Sequence, residues 1–269
     1  DSVEREFKWL TESFVTDLSA DGKEFLFSER SLSDVLSYEA WLWRVDDQDP
    51  VRLGPGFPFE LSPDGKWVLA HHASLNAPLT MLPTGAGEAR ELSNDLGALW
   101  ACWIPGDRGV VFAASGPEGE VRLYRQGIGG GATRPVSDEA VKVSGLRPCR
   151  VSPDGNLVAA IGVDGLIRIF PIDGGEARAV PGTEEGEVPL GWTTDGRRLY
   201  VGQWTYCIPA RAYLLDIETG ERRLWRELSP TDPAGVRGIV SLVPTPDGRG
   251  YAYSYFRGLE TLYLISGLD

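Results

Sequence analysis

One short hairpin signal occurs six times along the 269 residues of the chain. Its copies are Ser19-Ala20-Asp21-Gly22, Ser62-Pro63-Asp64-Gly65, Pro105-Gly106-Asp107-Arg108, Ser152-Pro153-Asp154-Gly155, Thr193-Thr194-Asp195-Gly196 and Thr245-Pro246-Asp247-Gly248. The Asp-to-Asp steps are 43, 43, 47, 41 and 52 residues. Self-similarity at a period of about 40–50 residues marks a repeat architecture. Pro presets φ for a turn, Asp tolerates the next position and Gly supplies positive φ, so each copy reads as a tight hairpin. The third copy is degenerate.

An apolar run follows each hairpin, as in Trp67-Val68-Leu69-Ala70, Val110-Val111-Phe112-Ala113 and Leu157-Val158-Ala159-Ala160. Short apolar runs bounded by turns read as buried strands. Third strands are expected at Ala40–Val45, Leu79–Leu82, Val121–Tyr124, Leu166–Phe170, Ala212–Ile217 and Thr261–Ile265. A second signal then recurs as Gly87-Glu88-Ala89-Arg90, Gly131-Ala132-Thr133-Arg134, Gly175-Glu176-Ala177-Arg178 and Gly220-Glu221-Arg222-Arg223, marking a fourth strand. Four-stranded units set radially make a propeller. The expectation is an all-β, six-bladed β-propeller of four-stranded antiparallel blades, forming a single domain over residues 1–269. The segment Arg5–Leu10 is expected to close the ring as a strand beside the last blade, removing two sheet edges.

The positions three, five and seven before each hairpin Asp are apolar except Thr16 and Arg147. Alternate residues of a strand share a face, which predicts one apolar face per inner strand. The position four before it holds Asp17, Glu60, Trp103, Arg150, Gly191 and Val243. Cys102 and Cys149 occupy equivalent inner-strand positions and read as packed thiols; Cys207 falls in a loop, and no disulfide framework is expected.

The Ser-Pro-Asp-Gly hairpins with their apolar strands resemble the WD40-like PD40 repeat of TolB-type propellers. Arg5–Gly22, Leu61–Leu69, Val151–Val158, Gly186–Tyr200, Tyr251–Tyr255 and Leu262-Tyr263-Leu264 are similar to propellers at the C-terminus of bacterial eukaryotic-like serine/threonine kinases. That resemblance implies an extracytoplasmic sensor domain joined to an intracellular kinase through a membrane helix. The chain carries neither kinase motifs nor a membrane helix. Beginning at Asp1 rather than Met, it reads as one part of a longer protein and as a monomeric domain. The same repeat occurs beside prolyl-oligopeptidase-type hydrolases, so an accessory propeller of such an enzyme is one alternative. A metal-dependent propeller hydrolase is another.

The formal net charge of −13 disfavours a nucleic-acid surface, which needs clustered Lys and Arg. No apolar run is long enough to span a bilayer, so no direct membrane insertion is expected. There is no Gly-x-Ser-x-Gly elbow, zinc motif or phosphate loop. The two histidines, His71 and His72, are adjacent and point to opposite faces of a strand. No catalytic residue, metal site or cofactor is assigned. The partner expected is a protein segment or a small ligand. Its contacts are placed at the channel mouth and loops, on Arg147, Trp100, Tyr38, Trp204, Tyr206 and Arg257, because aromatic residues and Arg dominate binding hot spots. Asp17, Glu60 and Arg150 are expected as polar lining of the channel.

Overall fold

A computed structural model describes residues 4–7, 12–30, 37–72, 78–92, 96–106, 108–116, 119–143, 149–203 and 208–258. Five four-stranded antiparallel sheets follow in chain order. Blade 1 comprises β1 (Phe14–Leu18), β2 (Glu24–Arg30), β3 (Tyr38–Arg44) and β4 (Val51–Pro55). Blade 2 comprises β5 (Phe57–Leu61), β6 (Trp67–His71), β7 (Leu79–Pro83) and β8 (Arg90–Leu92). Blade 3 has β9 (Trp100–Ile104), β10 (Gly109–Ser115), β11 (Val121–Gln126) and β12 (Arg134–Ala140). Blade 4 has β13 (Cys149–Val151), β14 (Leu157–Ile161), β15 (Ile167–Pro171) and β16 (Arg178–Ala179). Blade 5 has β17 (Glu187–Trp192), β18 (Arg198–Gln203), β19 (Ala210–Asp216) and β20 (Arg222–Leu228). A two-stranded sheet of β21 (Val236–Pro244) and β22 (Tyr251–Arg257) follows.

The expectation of six blades is thereby corrected. The molecule is a five-bladed propeller, with the two-stranded sheet between blade 5 and blade 1. A hairpin signal reports the turn between a first and a second strand and says nothing about how many strands come after. Thr261–Ile265, expected as a further strand, lies outside the described residues.

The ring closes through its inner strands. The first strands β1, β5, β9, β13, β17 and β21 touch in succession, and β21 returns to β1. The Ser241 hydroxyl donates to the Val15 carbonyl at 2.6 Å, and the Ser254 hydroxyl accepts from the Val15 N–H at 2.9 Å. Residues 4–7 form no ladder, and residues 8–10 lie outside the described set. The N-terminal segment thus adds side-chain contacts at this seam but no closing strand among the described residues.

The hairpins form as their composition dictates. In five of them the Ser or Thr hydroxyl donates to the Asp carboxylate: Ser19 to Asp21, Ser62 to Asp64, Ser152 to Asp154, Thr193 to Asp195 and Thr245 to Asp247, at 2.5–2.7 Å. The same carboxylate accepts the N–H two residues on, and the hydroxyl accepts the N–H five residues on. The glycine that follows sits at φ between 66° and 72°, where a Cβ is strained. Asp107 lies outside the described residues.

Burial falls from the inner strands outward. Strand β9 is wholly buried, whereas β20 is mostly exposed. The largest apolar cluster runs through blades 2, 3 and 4, with Phe112 and Phe170 fully buried. Arg90, Arg134, Arg178 and Arg222 each open an outermost strand.

Candidate binding face

Three inner strands carry a β-bulge at one shared position. The ladder register slips between Val15 and Asp17, between Pro58 and Glu60, and between Pro189 and Gly191. The extra residues are Thr16, Phe59 and Leu190, each five before its hairpin Asp. An extra residue breaks the period-two alternation and re-aims the side chains around it. The expected single apolar face therefore fails at these three positions.

The residues next to the bulges lie between blades. Asp17, 9% exposed, accepts the Leu61 N–H of blade 2 at 2.8 Å. Glu60 accepts the Trp103 N–H of blade 3 at 2.7 Å, and the Trp103 indole donates back to the Glu60 carbonyl at 3.2 Å. Arg150, 6% exposed, donates through Nε to the Leu190 carbonyl of blade 5 at 3.0 Å, and the Trp192 indole donates to the Arg150 carbonyl at 2.9 Å. The polar residues expected to line the channel thus clasp neighbouring blades. Between blades 3 and 4 the clasp is covalent: Cys102 and Cys149 form a disulfide. This corrects the reading of both as free thiols. Equivalent positions on adjacent inner strands are near neighbours around a ring, so two cysteines in register can meet.

The face opposite the hairpins, where the inner strands begin, carries an aromatic path across blades 1 and 2. Tyr38, the first residue of β3, meets Phe57 edge to face at 5.2 Å. Phe57 meets Phe59 at 6.0 Å, and Phe59 stacks on His71 at 6.2 Å. Phe57 also packs on the large cluster that contains Trp100. Trp100 is 2% exposed, and its indole N–H has no hydrogen-bond partner among the described residues. Burial, and secondarily the charge of His72, lowers the His71 pKa and keeps its imidazole neutral at pH 7. Phe57 and Phe59 escaped the sequence reading of this face, because inner-strand residues read as core, and Phe59 is indeed buried; His71, on β6, reads only as one of an adjacent histidine pair.

Arg257 ends β22, opposite the hairpin of the two-stranded sheet. Its guanidinium pairs with the Asp232 carboxylate at 3.2 Å and sits 5.5 Å from the Tyr255 ring centre. The structure therefore links Tyr38, through Phe57, to the apolar cluster that holds Trp100, and places Arg257 on the same side of the ring, at the end of the two-stranded sheet. Arg147, Trp204 and Tyr206 lie outside the described residues. Among the described residues Glu187 is completely buried; it pairs with Arg222 at 2.6 Å, and burial pushes the Glu187 pKa up. No group of three or more metal-ligating side chains occurs among the described residues.

No protein-family model and no curated protein sequence matches the chain. Solved structures do. A TolB-type protein of Agrobacterium tumefaciens superposes with a TM-score of 0.67 at 17% identity, over 92% of this chain and 91% of that one. TolB from Acinetobacter baumannii gives 0.61 at 13% identity, over 91% of this chain and 64% of that one. The fold is a TolB-type β-propeller. An oligogalacturonate lyase in complex with manganese shares the architecture with a TM-score of 0.57 at 17% identity, over 88% of this chain and 70% of that one. At such identities the likeness of this propeller to the others is one of fold, and fold alone does not assign chemistry.

Proposed function

We propose that the propeller is a non-catalytic binding domain whose aromatic face, opposite the hairpins, takes an extended protein segment or a small apolar ligand. The observation that carries this reading is the Tyr38–Phe57–Phe59–His71 path. It combines ring surface, a neutral imidazole and a phenol at one edge of the ring, and such rigid amphipathic groups give contact area at small entropic cost. The clasps between blades hold that surface in place, which lowers the ordering cost of binding. The carboxylates that a channel metal would need, Asp17 and Glu60, already accept backbone N–H groups of the next blade.

The parent protein is proposed to be a bacterial signalling protein of the serine/threonine kinase type, with this domain outside the cytoplasm. The motif resemblance supports that reading, and so does the Cys102–Cys149 disulfide, since such bonds persist in oxidising compartments. A thermal-shift screen of peptides and small apolar ligands against the domain tests the binding role. Stabilising ligands are expected, and Tyr38→Ala with Phe57→Ala should abolish their effect. Ligands whose effect survives both substitutions, a screen without any hit, or manganese-dependent turnover of a polysaccharide would each overturn it. Thiol labelling of Cys102 and Cys149 in intact cells tests the compartment; rapid labelling without a reductant would place the domain in a reducing one.

A further inference from the structure

The N-terminal residues 4–7 lie across the seam between the two-stranded sheet and blade 1 with alternating contacts. Even positions face the sheet. The Glu4 carboxylate accepts the Thr231 hydroxyl at 2.7 Å and the Tyr253 hydroxyl, and the Glu6 carboxylate accepts the Tyr255 hydroxyl at 3.2 Å. Odd positions face blade 1. Arg5 donates to the Val45 carbonyl at 2.5 Å, and Phe7 packs edge-on against Phe25 at 4.9 Å and Trp43 at 5.0 Å. The spacing of two matches an extended chain, whose side chains alternate. Glu4 and Glu6 therefore fall opposite Tyr253 and Tyr255, which also alternate along β22.

This surface has a defined chemistry. Three hydroxyl donors, on Thr231, Tyr253 and Tyr255, stand in a row beside an aromatic seat made of Phe25 and Trp43. It reads two carboxylates two residues apart, followed by an aromatic ring. The polar contacts to the segment are exposed, and exposed hydrogen bonds are individually weak. A four-residue segment held by such bonds, one Arg5 contact and the single Phe7 ring belongs to the low-stability end of a fold.

We propose that this groove is a second docking site, for an extended acidic segment of a partner protein with the pattern carboxylate–any–carboxylate–aromatic, and that the chain's own residues 4–7 fill it in the unbound state. The site is independent of the aromatic face. A partner segment competes with a tethered one, whose effective concentration is set by the tether, so cis occupancy lowers affinity in trans.

The test uses the full chain carrying Glu4→Gln and Glu6→Gln, titrated with a synthetic peptide of residues 2–7 and followed by intrinsic fluorescence. The peptide is expected to bind the double variant at least about tenfold more tightly than the unaltered chain. Adding Tyr253→Phe and Tyr255→Phe should abolish that binding, and a peptide with Gln at both Glu positions should not bind. Absence of binding to the double variant, equal binding to the unaltered chain, or binding indifferent to the Tyr→Phe changes or to the Gln peptide would overturn the proposal. Unchanged circular dichroism of the variants confirms that the fold is intact. These readouts do not involve Tyr38 or Phe57, so failure here leaves the aromatic face untouched.

Discussion

Between blades 3 and 4 the inner strands are joined by a bond between Cys102 and Cys149, whereas the seam that closes the ring is held by non-covalent contacts: the hydroxyls of Ser241 and Ser254, the Phe14–Phe256 ring pair and the contacts of residues 4–7. The first seam lies within the largest apolar cluster; the second adjoins a sheet with two strands among the described residues. A closed ring opens at its weakest joint. The difference places mechanical security at blades 3 and 4 and adaptability at the closing seam, where the proposed docking groove lies.

The largest expected effect comes from removing the covalent clasp. The disulfide spans 47 residues, and constraint of the unfolded chain by a loop of that size is worth about 4 kcal/mol. Cys102→Ser with Cys149→Ser should lower the melting temperature accordingly, and a loss under 1 kcal/mol would erase the contrast between the seams. Next comes Asp17→Ala. It leaves the Leu61 N–H without its acceptor and should cost about 1–3 kcal/mol by urea denaturation. Ser241→Ala at the closing seam should cost less, about 1 kcal/mol, and should speed amide exchange in β1 and β21 before any other strand. Exchange that begins in β9 and β13 would invert the ranking.

The smallest effect per site concerns acid. Hydrogen bonds from Ser and Thr hydroxyls hold Asp21, Asp64, Asp154, Asp195 and Asp247 below the ordinary carboxylate range. The folded state therefore binds fewer protons at these sites than the unfolded one. Their contribution is complete above the unfolded value of about 3.9 and is lost as pH falls through the lowered folded values. Glu187 works in the opposite sense. Its raised value makes its contribution fullest below the unfolded value of about 4.3, and that contribution fades as pH rises through the folded value. Because these turns recur around the ring, acid should loosen both seams together, whereas a reductant should loosen one. Exchange profiles at low pH and under reductant distinguish the two.

Much of the fold was legible because its signals are local. A hairpin such as Ser152–Gly155 is specified within a few residues, and Arg90, Arg134 and Arg178 marked the onset of outer strands. The blade count was not legible, since a turn signal does not carry the number of strands that follow. Asp17, Glu60 and Arg150 stood out as polar among apolar neighbours, but their direction depends on bulges at Thr16, Phe59 and Leu190 or on contacts to another blade. Such information is non-local. The disulfide left a fainter trace, two cysteines in register, whose meaning needed the ring. Of the candidate site, Tyr38 and Trp100 stand out by residue type, and the structure buries Trp100; Phe57 and Phe59 look like interior, and His71 reads only as one of an adjacent pair.

The hairpin turns carry a consequence for ancestry. Each of the five described Ser/Thr–Asp–Gly turns bonds its own hydroxyl and carboxylate within a few residues, and the Gly155 and Pro246 carbonyls of these turns also accept from an adjacent blade, from Arg108 and from Thr194. A cassette of that kind can be duplicated or trimmed in a gene with few bonds to its neighbours disturbed. A lineage built from such cassettes is free to drift in the number of its sheets.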